Sequence, residues 1–318
     1  MRKLLSLLLA LLMPALFLCG CGTGDTKDAN NPAGLSGGQA GGLTITDMTG
    51  RTVELSGPAG RIVALMPADC EILCALGAGG LIVGRGEYCQ YPEELLGIPE
   101  VASGGETNIE QIIALEPDVV VMSKMAQTVE HVAALEKAGI RCVVSDAQDI
   151  EGVYSAITML GELTGKASRA ESLVADMRSS FDAIISKSDS SGTKTVYFEV
   201  SPLEWGLWTA GRGTFMDEIA SLLGVQNAFS DVEGWAEISE EQVIERDPDY
   251  IVTVAMYLGE GETPVEEIMG REGWQNLKAV KNGAVLNVDS NEISLPGPRL
   301  VNAAEALFEF FSGVSASE

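Results

Sequence analysis

The sequence predicts an α/β protein of two similar lobes joined by one long backbone helix, with the ligand cleft between the lobes. Three observations predict it. One stretch is written twice, as Asn108-Ile-Glu-Gln-Ile-Ile-Ala-Leu-Glu-Pro-Asp-Val-Val-Val121 and as Ser239-Glu-Glu-Gln-Val-Ile-Glu-Arg-Asp-Pro-Asp-Tyr-Ile-Val252. A fainter echo agrees with it: Glu71-Ile-Leu-Cys-Ala-Leu-Gly-Ala78 returns as Glu218-Ile-Ala-Ser-Leu-Leu-Gly-Val225. Strand-like runs also alternate with helix-like runs in both halves, the pattern of mostly parallel sheets. A unit that recurs once, over a hundred residues on, is not a solenoid, whose periods are about 20–50 residues. It marks a duplicated lobe, and the space between two lobes is a favoured place for a ligand.

The N-terminus is a targeting segment, residues 1–21. Arg2 and Lys3 form a basic region, and Leu4 to Leu18 an apolar region too short to span a membrane comfortably. Leu18-Cys19-Gly20-Cys21 resembles a bacterial lipobox, which implies that Cys21 is lipidated and becomes the first mature residue. Residues 22–42 are rich in Gly, Asn, Asp, Ser and Thr and read as a flexible tether.

Residues 43–147 read as the first lobe. Residues 44–55 alternate around a Thr-Gly turn as a hairpin, and residues 61–65 form the first core strand. A helix over 68–76 closes at the C′ glycine Gly77, with a strand at 81–84 and a loop at 85–92. In the repeated unit, Asn108 is an N-cap and Gln111 stands where a capping-box side chain belongs. Ile112 and Ile113 supply an apolar face. Pro117 ends the helix by pushing Glu116 out of helical geometry, and a β-branched run reads as a buried parallel strand. A helix over 129–138 and a strand at 141–144 complete the lobe.

Residues 148–190 read as connecting helices. Asp149 caps one that runs to about Leu163. The next, over 166–187, carries Leu173, Val174, Met177, Phe181, Ile184 and Ile185 at helical spacing. At ~1.5 Å per residue it is roughly 33 Å long, a stiff connector. Residues 191–318 read as the second lobe: a strand at 195–199, a loop at 202–213, and a helix ending at Gly224. The second repeated unit follows, capped by Ser239 with Gln242, then a strand at 284–288 and a final helix over 299–311.

At 318 residues the chain is long enough for two domains with cores. Its 46 acidic residues against 20 basic ones argue against nucleic acid, since neutralising phosphates needs a basic surface; the charge serves solubility. Cys70, Cys74, Cys89 and Cys142 remain in the mature body. Export permits disulfides, but the sequence assigns no pairing, no zinc spacing appears, and the four read as buried or spectator thiols. The sole histidine, His131, lies in a helix and reads as solvated. Without a Gly-x-Ser-x-Gly elbow a hydrolase triad has no support. Gly77-Ala-Gly-Gly80 ends a helix where a dinucleotide fingerprint opens one. A carrier of a naked metal ion needs more His or carboxylate ligands. The chain is therefore expected to be no enzyme and to hold no intrinsic cofactor.

An ordered set of motifs resembles the class III substrate-binding proteins of bacterial ABC importers, the vitamin B12, iron-siderophore and haem binding group. It comprises Asp47-Met-Thr-Gly-Arg51, Arg61-Ile-Val with Glu71, Glu87-Tyr-Cys-Gln-Tyr-Pro92, both Glu-Gln-x-Ile-x-x-x-Pro-Asp units, and Arg271-Glu-Gly-Trp274 before Lys281-Asn-Gly283. The resemblance runs from about residue 44 to the end. It implies a cleft ligand, limited closure, and two partners, an ABC permease and through it an ATPase. It places the protein outside the cell, lipid-anchored to the outer face of the cytoplasmic membrane. Glu110 and Glu241 match the acidic residues that dock the permease, a two-point electrostatic register; a first-turn Glu also simply favours the helix dipole.

For a ligand outside the carboxyl ends of the strands, the strand assignments nominate Met66, Tyr88, Ser123, Lys124 and Met125 on one lobe. Trp205, Trp208, Met256 and Tyr257 face them from the other, with Trp235 just before the second unit. Such rings and thioethers suit a large flat chelate. Tyr88 and Trp235 match aromatic positions of the B12 binders, while the third such position aligns with Gly104. Arg299 matches a family arginine near the cleft. Arg85 and Arg212 are further candidates for an anionic group, because a guanidinium pairs carboxylates bidentately. The resemblance implies a corrinoid or a ferric siderophore, with haem as an alternative and a ligand-free structural lipoprotein as the other.

Overall fold

The computed structural model describes residues 42–313 apart from 104–105, 125–128, 189–192, 257–258 and 260. Cys21 with the signal segment, Gly104, Met125 and Tyr257 lie outside the described residues.

A hairpin of β1 (Leu43–Thr46) and β2 (Thr52–Leu55) leads in. The Asp47 carboxylate closes its turn by accepting from the Thr49 and Arg51 N–H groups. Then come β3 (Ile62–Ala64), α1 (Pro67–Ala75), β4 (Ile82–Gly86), β5 (Glu100–Val101), α2 (Ile109–Ala114), β6 (Val119–Met122), α3 (Val129–Lys137) and β7 (Arg141–Val144). Strands β3 to β7 form one parallel sheet in the order β5-β4-β3-β6-β7.

Two helices follow, α4 (Ile150–Leu163) and α5 (Ala167–Ile185). The Asp149 side chain caps α4 through the Gly152 N–H, as its sequence position predicts. The 19 residues of α5 span roughly 28 Å, about a turn less than predicted. The second lobe holds β8 (Thr195–Ser201), β9 (Trp208–Ala210), α6 (Phe215–Leu222), β10 (Gln226–Asn227), β11 (Trp235–Glu237), α7 (Glu240–Arg246), β12 (Tyr250–Thr253), α8 (Pro264–Gly270), α9 (Lys278–Lys281), β13 (Val285–Asn287), α10 (Ser290–Ser294) and α11 (Leu300–Ser312). Its sheet runs β11-β9-β8-β12-β13, with β10 also on β8. Strand β9 is antiparallel to both its neighbours, and β8, β10, β12 and β13 are parallel. The predicted loop over 202–213 is thus partly strand.

The repeated unit does the same work twice. Asn108 and Ser239 each accept from an N–H in the first turn. Ser239 completes a capping box with Gln242, whereas the Gln111 amide turns away to donate to the Glu100 carbonyl. The residues before the two prolines leave helical geometry as predicted, and both are left-handed, Glu116 at φ 47° and Asp247 at φ 43°. Each following aspartate then reaches its lobe's first strand. Asp118 accepts from the Gly60 and Arg61 N–H groups at 2.9 Å. Asp249 accepts from the Thr195 N–H at 3.0 Å. One carboxylate in each lobe therefore sets how the second helix–strand unit sits against the first strand.

Alternation along the strands sorts side chains onto two faces. Ile62, Ala64, Val119 and Val121 of the first sheet, with Val196, Phe198 and Val252 of the second, join one core that also takes Ile157, Leu160, Met177 and Phe181 of α4 and α5. Val63, Val120 and Cys142 point to a separate outer core of the first lobe. Tyr197, Ile251 and Trp274 point to one of the second. Both sheets are buried on both faces, as parallel sheets require.

Asp69 lies in the first turn of α1, 2 % exposed. Burial pushes its carboxyl up to about 7 despite a hydrogen bond with the Ser145 side chain. The folded chain thus keeps a proton that the unfolded chain releases between about pH 4 and 7. Stability should fall as pH rises through that window and level off above it, by on the order of 4 kcal/mol in full. In urea unfolding from pH 4.5 to 7.5, Asp69→Asn should flatten that slope. An unchanged slope in the variant would assign the pH dependence to other groups.

Candidate functional site

The parallel strands of each lobe end on one edge, and the connections leaving those edges carry the exposed large side chains. In the first lobe Met66, half-buried, is the N-cap of α1 directly after β3. Tyr88 follows β4 and is 66 % exposed. Gly86 lets that turn form, since a Cβ there would strike the Leu65 carbonyl. Ser123, buried, and Lys124, exposed, follow β6. In the second lobe Trp205 ends a short 3-10 turn after β8 and Met256 follows β12; they are 76 % and 80 % exposed. Trp208 pairs with Ser201 at the carboxyl end of β8. Trp235 pairs with Ala210, two residues along the same strand from Trp208, so the two indoles leave one face of the sheet as neighbours.

The arginines are placed otherwise than the sequence suggests. Arg85 is buried, with its donors on the Leu95 and Gly86 carbonyls and its charge on Glu100 at 3.2 Å. It holds the first lobe together and presents nothing to a cleft. Arg212 lies beyond β9, which runs antiparallel to β8, so it stands toward the amino ends of the parallel strands. There it pairs with Glu233 at 3.8 Å and lines a separate cavity of about 510 Å³. Arg299 spans the two lobes. It donates to both oxygens of Glu71 on α1, at 2.9 and 2.6 Å, and sits 4.2 Å from the centroid of the Tyr91 ring. The pair raises the Arg299 guanidinium further above its ordinary value.

A second link crosses at the echoed position. Glu218 on α6 accepts from the Ile150 N–H at the start of α4, and burial holds its carboxyl above the usual range. Sequence reasoning noted Glu71 and Glu218 as an echo but missed that both reach out of their own lobe, Glu71 to the other lobe and Glu218 to the connecting helix α4; the shared position in the echo was the available signal. The Arg271-Glu-Gly-Trp274 motif is internal. Arg271 lies buried between Glu199 and Glu267 with its guanidinium over Trp274, and the Tyr197 hydroxyl donates to Glu199.

Glu110 and Glu241 are exposed in the first turns of α2 and α7. Hydrogen bonds from Ser239 and its own backbone hold Glu241 below the ordinary carboxylate range. Three residues along, on the same helix faces, Ile113 and Ile244 are also exposed. Among the described residues no group of three His, Cys, Asp or Glu is placed to hold a metal ion, and no helix is long and apolar enough to cross a membrane.

The profile of the periplasmic binding protein family matches residues 62–292. An uncharacterized ABC transporter substrate-binding lipoprotein of Bacillus subtilis is 34% identical over 316 residues, 97% of each chain. A possible iron-binding, periplasmic solute-binding protein of Staphylococcus epidermidis superposes with a TM-score of 0.69 at 30% identity, covering 80% of this chain and 98% of that one. The periplasmic vitamin B12 binding protein of Vibrio cholerae does so with a TM-score of 0.69 at 25% identity, covering 82% and 99%. These relatives are binding proteins of transport, not enzymes.

The Arg299–Glu71 pair predicts a separable outcome. Arg299→Gln leaves Glu71, whose side chain is 4 % exposed, without its partner, and should cost about 3–5 kcal/mol in urea unfolding. Adding Glu71→Gln should restore part of that loss, because no buried charge remains. Were Arg299 a ligand contact instead, the single variant would lose affinity at an unchanged unfolding midpoint.

Proposed function

The chain belongs to the periplasmic binding protein family, and from that premise we propose that it captures a metal chelate between its lobes and delivers it to an importer. Its general role is that of the substrate-binding protein of an ABC transporter, at an extracytoplasmic location. The observation that carries the finer reading is the set of exposed rings and thioether: Tyr88, Trp205, Trp208 and Met256 at the carboxyl edges of the sheets, with Trp235 on the same sheet face as Trp208. A folded domain gains nothing by leaving such surface in water, and clustered apolar exposure marks a binding site. Flat, polarisable side chains favour a corrinoid, with a ferric siderophore next and haem as the alternative. A chelate brings its own metal ligands, so the protein needs none.

Cys21 is proposed as the lipid-bearing first residue, with residues 22–42 as the tether, so that the lobes work at the outer face of the cytoplasmic membrane. Glu110 and Glu241 are proposed to dock arginines of the permease, whose ATPase drives release. Their exposure and their matched places in the two lobes support this reading.

Thermal shifts with a corrinoid, a haem and a siderophore panel test the ligand class. With the best of these, Tyr88→Ala and Trp235→Ala should each cost ~1–3 kcal/mol of affinity, roughly five- to two-hundred-fold. Wild-type affinity in both variants, each with a wild-type melting temperature, would show that the ligand sits elsewhere.

The membrane side is tested in cells. Glu110→Arg with Glu241→Arg should abolish uptake and leave ligand affinity intact, and Cys21→Ala should release the protein from membranes. Equal loss of binding and uptake in the charge reversal would count against docking. Retention of Cys21→Ala on membranes would count against the anchor.

A further inference from the structure

Cys70 and Cys89 are 19 positions apart in the sequence (89 − 70) and meet in the fold. Cys70 lies on α1, beside Glu71 of the cross-lobe pair, and Cys89 lies in the turn that directly follows Tyr88. Both are fully buried in the core shared by the lobes. Both thiols point at one acceptor, the Ala64 carbonyl at the end of β3, from 3.6 and 3.9 Å. The other two cysteines are engaged elsewhere: the Cys74 thiol meets Glu94, and Cys142 on β7 faces the outer core of the first lobe.

We propose that Cys70 and Cys89 are a disulfide-forming pair that fastens the Tyr88 turn to α1 in the exported protein. Two buried thiols that converge on one carbonyl oxygen are placed to be joined, and an extracytoplasmic location is where such a bond persists. The oxidant is a small-molecule disulfide. The Cys89 thiol gives up its proton, and its thiolate attacks the external disulfide and expels one thiolate. The deprotonated Cys70 then attacks the mixed disulfide, forms the Cys70–Cys89 bond and expels the second thiolate. The external disulfide takes up two electrons, and the two thiol protons pass to the expelled thiolates or to solvent. Exchange proceeds while the turn is open. Once it packs, burial and the neighbouring thiol keep a reduced Cys70 far above its ordinary range and unreactive.

The consequence falls on the ring-bearing loop. Residues 88–91 carry Tyr88 at one end and Tyr91, the ring against Arg299, at the other. A covalent tie to α1 holds both rings against the helix whose Glu71 grips Arg299, so the loop is ordered before any ligand arrives.

The test uses the full exported chain, refolded from denaturant with either oxidised or reduced glutathione. It is then unfolded, blocked with an alkylating reagent and peptide-mapped without reductant. The oxidised sample should yield one cross-linked peptide pair joining Cys70 to Cys89, with Cys74 and Cys142 alkylated. It should also melt on the order of 5 °C above the reduced sample, a gap that Cys89→Ser abolishes. Four alkylated body thiols after oxidation, or a cross-link joining a different pair, would overturn the proposal. Because the refolding is done in vitro, this result does not depend on the ligand or on the permease.

Discussion

Side chains from both sheets meet in one continuous core, and the two-lobe architecture rests on that. Val121 and Val252, each on the strand of a repeated unit, belong to the same cluster as Leu160 of α4 and Phe181 of α5. Separating the lobes would expose this surface, at ~25 cal/mol for every Å² uncovered. The two connecting helices are therefore struts seated in the core more than a tether between bodies.

Two carboxylates at equivalent positions refine the seat. Glu71 grips Arg299 from the first lobe, and Glu218 receives the Ile150 N–H from the second. The duplication supplied a glutamate in the same helical position in each half, and each half turned it toward its neighbour. The aspartates of the repeated unit followed the opposite course. Asp118 and Asp249 stayed inside their lobes and kept one task, holding the start of the first strand. A duplicated residue thus kept its role where its partner is local. Where the partner lies outside the lobe, the roles diverged, because Glu71 meets the other lobe and Glu218 the connecting helix α4.

The proposed site lies where the fold is least economical. The rings of Tyr88 and Trp205 stand in solvent on connections at the strand ends and that of Trp235 at the start of the edge strand β11, while the buried arginines, of which Arg85 looks like a ligand contact in the sequence, serve the scaffold. Arg85 and Arg271 satisfy carbonyls and carboxylates that burial would otherwise leave unpaired. With those charges spent internally, the proposed recognition rests on aromatic surface within a strongly acidic chain.

Periodicity and local chemistry determined much of this chain before any contact was known. The repeated helix–strand unit, the Asp149 cap, the Gly77 and Gly224 helix ends with their positive φ, and the main parallel strands of both sheets are local matters. Backbone geometry within a few residues settles them, and the duplicated pattern carried the two-lobe fold with it. Tertiary structure alone decided the rest. Strands β9 and β11 have three residues each and exist because β8 offers an edge. The left-handed Glu116 and Asp247 are held where Asp118 and Asp249 must reach a strand. An arginine's partner cannot be read from its neighbours: Arg85, Arg212 and Arg299 look alike in sequence, and the folded chain buries one, turns one to the far edge and spans the lobes with the third. A long side chain's role is set by whichever carboxylate the fold brings within reach, and that distance is not written in any short stretch of sequence.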